Sequence, residues 1–114
     1  MTHSLIDVSE IEAKHGVFKP VGPTLGVSAF GINQLELSPN SEGPVHDHSA
    51  DGQEEVYVVI GGGGVIRVEG DEHQLQTGQY VFLSPDASRQ MVAGPEGLTW
   101  IGVGCQPGSY SRES

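Results

Sequence analysis

Residues 39–61 read PNSEGPVHDHSADGQEEVYVVIG, with His46 and His48 one residue apart, Glu54 and Glu55 adjacent, and an apolar run closing on Gly61. In extended backbone successive side chains alternate faces, so His46 and His48 point one way and Asp47 the other. The β-branched run after them has strand composition. Along it Glu54, Val56, Val58 and Ile60 share one face, and Glu55, Tyr57 and Val59 take the other. With the first row read as inward, Glu54 joins the two imidazoles. Two neutral imidazoles and one carboxylate suit Fe, Mn, Ni, Co or Zn, and three protein ligands leave positions open for water or substrate. The plain alternative is two surface histidines in an acidic loop, Ser38 to Gln53, with Glu54 solvated at a strand end. An HxH pair taken alone favours that alternative.

Outward from this stretch, Pro and Gly recur every eight to twelve residues from Phe18 onward, with apolar and β-branched runs between them. That spacing belongs to an all-β sandwich or barrel. Strands are expected near 26–38, 54–60, 64–69, 72–76, 79–84, 89–94 and 98–104. Gly61-Gly62-Gly63-Gly64 is expected to form a hairpin turn, because glycine takes positive φ without steric cost. Near the N-terminus, Ser9-Glu10-Ile11-Glu12 matches a capping box and Gly16 is placed to stop a helix, so one short helix is expected there. The polar tail after Cys105 has no periodicity.

The 114 residues leave room for one domain. Seventeen glycines and seven prolines argue for turns and against a helical bundle. Fifteen acidic against five basic residues give a net charge of −10, which repels phosphate backbones and anionic lipid surfaces and so argues against nucleic-acid and membrane partners. The longest apolar stretch, Val56 to Ile60, is far below the roughly 20 residues of a membrane helix, and the N-terminus lacks a signal-peptide pattern. A soluble, cytoplasmic protein is expected. With Cys105 the only cysteine, any metal must be held by nitrogen and oxygen.

Residues 39–61 resemble the first motif of the cupins, G-x5-H-x-H-x3–4-E-x6-G. Asn40 takes the first glycine position, His46 and His48 the histidine pair, Glu54 the acid and Gly61 the closing glycine. Five residues separate His48 from Glu54, one more than the pattern has, which a loop insertion absorbs. The second motif, G-x5-P-x-G-x2-H-x3-N, is similar to Gly78–Ala93. There Ser84-Pro85-Asp86 replaces the Pro-x-Gly turn, Arg89 falls on the fourth ligand and Ala93 on the closing Asn. A guanidinium has no lone pair to offer, so Arg89 is no ligand. The resemblance implies a cupin-type antiparallel jelly-roll barrel with the site in its mouth, occupying 18–105 between an N-terminal segment, 1–17, and a polar tail, 106–114.

Within that resemblance two readings stand. One is a small cupin holding a divalent transition metal through His46, His48 and Glu54 and taking a small anionic metabolite; if it is an enzyme, the reaction is that of a cupin oxygenase, isomerase or cyclase. The other is a metal-free, non-catalytic ligand-binding module, in which Arg89 pairs with Glu54 across the barrel. Arg89, Tyr80 and Gln53 are expected to contact the ligand. Phe82 shares a face with Tyr80, and His73 reads as exposed. Trp100 and Ile101 alternate, one inside and the other free to meet a second chain. A homodimer is expected, with 17–21 and the strand of Trp100 as candidate contacts.

Overall fold

In the computed structural model, which describes residues 2–111, two long strands run side by side at the centre of the sheet. In chain order the elements are a 3-10 turn, Val8–Glu10, then β1 (Phe18–Lys19), α1 (Val21–Leu25), β2 (Gly31–Leu37), β3 (Glu54–Val68), β4 (Asp71–Gln76), β5 (Tyr80–Leu83) and β6 (Arg89–Cys105). All pairings are antiparallel in one six-stranded sheet of order β1-β2-β6-β3-β4, with β5 also pairing β3. This is the antiparallel jelly roll that the strand spacing and the motif resemblance predict.

The four-glycine run is not a hairpin turn. β3 passes straight through it, and its ladder with β6 slips between Val59 and Gly61 and again between Gly62 and Gly64. These are β-bulges, which bend a strand sharply without ending its pairing. Glycine is required at this crease by crowding. A Cβ on Gly62, whose φ is +65°, would lie 2.1 Å from the Gly97 carbonyl oxygen, and one on Gly64 would lie 2.0 Å from that of Val92. The expected strands 54–60 and 64–69 are therefore one strand, and so are 89–94 and 98–104. The sheet folds over along the crease, which brings Tyr57, Val59, Leu98 and Trp100 of one half against Ile66, Leu75, Met91 and Ala93 of the other in one core.

The N-terminal helix shrinks to the single 3-10 turn. Asp7, not Ser9, caps it, accepting from both the amide and the hydroxyl of Ser9 at 2.9 and 2.6 Å. With the hydroxyl of Ser9 committed to Asp7, the expected capping box does not form, and Ile11 alone from this stretch is buried. The last three residues of the tail, 112–114, lie outside the described residues. Among those described, no helix is long and apolar enough to cross a membrane.

Candidate metal and ligand site

The inward row of β3 is Glu55, Tyr57 and Val59, the reverse of the expected parity. Tyr57 and Val59 are buried, whereas Val56 and Ile60 are exposed. Glu55 stands opposite Gly104 of β6, whose glycine leaves the carboxylate side chain room to turn inward. Glu54 is on the outer face and does not join the cluster.

The histidines come from an extended segment on the free edge of β6. Gly43 donates to Met91 O, and His46 and Arg89 exchange both backbone hydrogen bonds, at 3.0 and 2.9 Å. This fixes the face that His46 presents. Asn40, at the start of the segment, has φ of +59°, the left-handed turn for which asparagine replaces glycine. Asp47 points away, as alternation requires, and accepts from the amide and hydroxyl of Ser49, which holds its carboxyl below its ordinary value. His46 and His48 do converge, with ring centroids 5.6 Å apart, and together with Glu55 they place three ligand atoms within 4.8 Å of one another.

The hydrogen-bond pattern says more than proximity. His48 Nδ1 lies 3.1 Å from each Asp51 oxygen, and that bond, with the Gln53 amide behind it, holds the Asp51 carboxyl below its ordinary value. A carboxylate only accepts, so Nδ1 carries the hydrogen and Nε2 is the atom turned to the site. That Nε2 lies 3.1 Å from Glu55 Oε1. An imidazole nitrogen and a carboxylate oxygen at this separation can share a cation between them. His46 turns Nδ1 toward Pro44 O at 3.4 Å and Nε2 toward the Tyr57 hydroxyl at 3.5 Å.

Arg89 closes the other side. Its side chain is fully buried, donating to Glu55 Oε1 at 2.6 Å, Ala87 O at 2.7 Å and Ser84 O at 3.4 Å. Burial works against its charge, but the bonds to Glu55 and Tyr57 outweigh it and raise its pKa further. The Tyr57 phenol, which donates to the same Glu55 oxygen at 3.2 Å, is pushed up to about 12 by burial and by the Glu55 charge. The donor set suits a divalent cation: two imidazole Nε2 atoms and a carboxylate, with the guanidinium and the phenol both drawn to one carboxylate oxygen.

A cavity of about 340 Å³ opens from this corner, and Gln53, Tyr57 and Trp100 line it with both histidines and Glu55. Gln53 is thus in the cavity. Tyr80 is not. Tyr80 and Phe82 are largely exposed and line a separate depression with Val68 and Leu75. Trp100 faces inward and Ile101 outward, and His73 is exposed. Sequence reasoning missed Tyr57 and Asp51. Tyr57 shares the parity of Glu55, and Asp51 sits three residues after His48.

Comparison with known proteins agrees with this architecture. The cupin domain family matches residues 33–103. Dimethylsulfoniopropionate lyase DddW of Ruegeria pomeroyi is 30% identical over 79 residues, 69% of this chain but only 45% of that protein, so the chain spans less than half the length of this relative. A cupin protein from Bacteroides fragilis superposes with a TM-score of 0.84 at 21% identity, covering 100% of this chain and 92% of that one. A sugar phosphate isomerase from a cupin superfamily of Silicibacter pomeroyi gives 0.77 at 22% identity over 90% and 76% of the two chains. A predicted oxalate decarboxylase from Thermotoga maritima gives 0.75 at 19% identity over 90% and 99%. At these identities the solved structures speak for the fold alone.

Proposed function

The chain belongs to the cupin family, and from that premise we propose that His46, His48 and Glu55 bind one divalent transition metal beside which a small anionic metabolite is held. The observation that carries this reading is the convergence of one ligand atom each from His46, His48 and Glu55 within 4.8 Å of one another, with His48 Nδ1 turned away to Asp51. Bound there, Fe, Mn, Ni, Co or Zn supplies Lewis acidity and open positions for an anionic oxygen. The protein's part is to orient the donors. Asp51 sets the His48 tautomer, the His46–Arg89 backbone pair sets the His46 face, and Arg89 and Tyr57 hold one oxygen of Glu55. The lyase relative is named for a small propionate, which fits an anion held beside a bound cation.

Calorimetric titration of chelator-treated protein with each metal should give one site per chain, lost in the His46→Ala, His48→Ala double variant. Absence of micromolar binding by every metal rejects the reading. A metal-free ligand-binding module then remains, favoured by the 2.6 Å pair between Arg89 and Glu55, the neighbour of the expected Glu54. In it the double variant keeps its ligand affinity. We take 18–105 as the functional barrel. We also take the outward apolar residues of β3 and β5, Val56, Ile60, Tyr80 and Phe82, as the contact of a homodimer, to be checked by light scattering of Phe82→Glu.

A further inference from the structure

The inward face of β6 loses its side chains toward the site. Its residues there are Leu98, Trp100, Gly102 and Gly104, and across the ladder β2 presents Leu37, Leu35, Asn33 and Gly31 in the same order. Deep in the barrel the layers are filled by Leu37 with Leu98 and Leu35 with Trp100. At the mouth, Gly31 and Gly104 face each other with no side chain at all, and Gly102 pairs with Asn33. All three glycines line the cavity.

Backbone conformation does not ask for glycine at these positions, since none of the three has a positive φ. Fold-over of the sheet does not ask for it either. A Cβ on Gly31 would meet only the Gly104 carbonyl oxygen, at 3.5 Å, and one on Gly102 would touch the Tyr57 ring at 3.4 Å and Leu35 at 3.8 Å, ordinary contacts. Gly104 is tighter, 2.9 Å from Gln53 Oε1. What an alanine at 31 or 102 would remove is room in the cavity that His46, His48 and Glu55 also line. Strands that spend glycine in their interiors give up packing and chain entropy, and a close approach by a ligand is one return on that loss.

We propose that Gly31, Gly102 and Gly104 form a side-chain-free wall that sets the size limit of the ligand, a short-chain carboxylate whose tail lies along this wall. The inference rests on the cavity being the ligand site of the proposed function. The carboxylate end meets the His46–His48–Glu55 corner, and the tail lies along the glycine wall with Leu35 at its foot, in the cavity that Met91 also lines.

Trp100 lines the cavity and is the only tryptophan, so its fluorescence reports occupancy with or without metal. The probes are straight-chain carboxylates from acetate to hexanoate, titrated into the metal-loaded and the chelated wild-type chain, Gly102→Ala and Gly31→Ala, each checked for folding by circular dichroism. Affinity of the wild type should rise with tail length up to a limiting acid. Each alanine should move that limit at least one carbon shorter and weaken the wild type's limiting acid by about tenfold or more, while calorimetric metal affinity stays within about twofold. An unchanged length profile in both folded variants overturns the proposal, as does a wild type that responds to none of the acids. If Gly102→Ala fails to fold, Gly31→Ala decides alone. A wild type that binds no metal, but whose chain-length limit still shortens in the alanine variants, rejects the metal site and keeps the wall; a wild type that binds metal, with a limit the variants do not move, rejects the wall and keeps the metal.

Discussion

Two walls meet at the site, and they are built differently. The one spanning 41–53 is an irregular edge segment whose histidines keep contact with water; the His48 side chain retains 22% of its accessible surface. The other, at the start of β6, is closed, and the Arg89 side chain retains 0%. A partly wet imidazole can exchange a proton or an ion for another partner at little cost to the fold. A buried guanidinium has given up its hydration, and must keep every acceptor it has. One wall is therefore set for binding and the other for holding the barrel together, although both touch Glu55.

The largest break in that contrast comes from Arg89. Arg89→Met leaves Glu55 without its cation, and chemical denaturation should show a loss of about 3–5 kcal/mol. Adding Glu55→Leu should restore most of it, because a buried pair replaced whole by apolar groups is close to neutral. The His46→Ala, His48→Ala variant should do the opposite, abolishing metal binding in calorimetry while unfolding within about 1 kcal/mol of the parent. Between the adjacent acids, Glu55→Gln should weaken metal affinity about a hundredfold, and Glu54→Gln should leave affinity unchanged and stability within about 0.5 kcal/mol. Asp51→Ala, which frees the His48 tautomer, should cost about tenfold in metal affinity.

The smallest effect is spectroscopic. Burial raises the Tyr57 phenol to about 12, from an ordinary value near 10. A group whose folded pKa is raised contributes stability below its unfolded pKa and loses it as pH rises through the folded one. Tyr57 therefore stabilises the fold below about pH 10, and that contribution fades toward pH 12. Tyrosinate absorbance should show a late component rising through about pH 12, missing from Tyr57→Phe.

Much of this was legible in the residues themselves. Pro and Gly spacing marked the strands because breakers act locally, and Asn40, His46 and His48 fell where alternation and turn chemistry put them. The acid did not, because the four glycines hide the register: Gly61 follows Glu54 at the same interval at which Gly62 follows Glu55. The burial of Tyr57 and Val59 breaks the tie, and that depends on which face the folded sheet turns inward. A glycine run is likewise silent on whether it turns a chain or creases a sheet, since both need backbone that other residues cannot adopt. Aromatics in a strand suit a pocket, a core or an interface alike, and the residues alone do not choose for Tyr80 and Phe82; their strand pairs β3 at the sheet's margin, where the face they take is open to solvent.

The crease gives the Arg89–Glu55 pair a second meaning. Arg89 is the first residue of β6, and Glu55 stands opposite Gly104, next to its last. Seventeen residues of uncreased strand would put these ends roughly 50 Å apart. The pair is thus a clasp between the two ends of one doubled strand, and whatever fills the corner beside it also bears on whether the barrel stays shut. Occupancy and unfolding are then linked by mass action, so an occupant bound at a hundred times its Kd should add about 2.7 kcal/mol to the fold. Thermal denaturation alone becomes a binding assay, open to any candidate ligand before its chemistry is known.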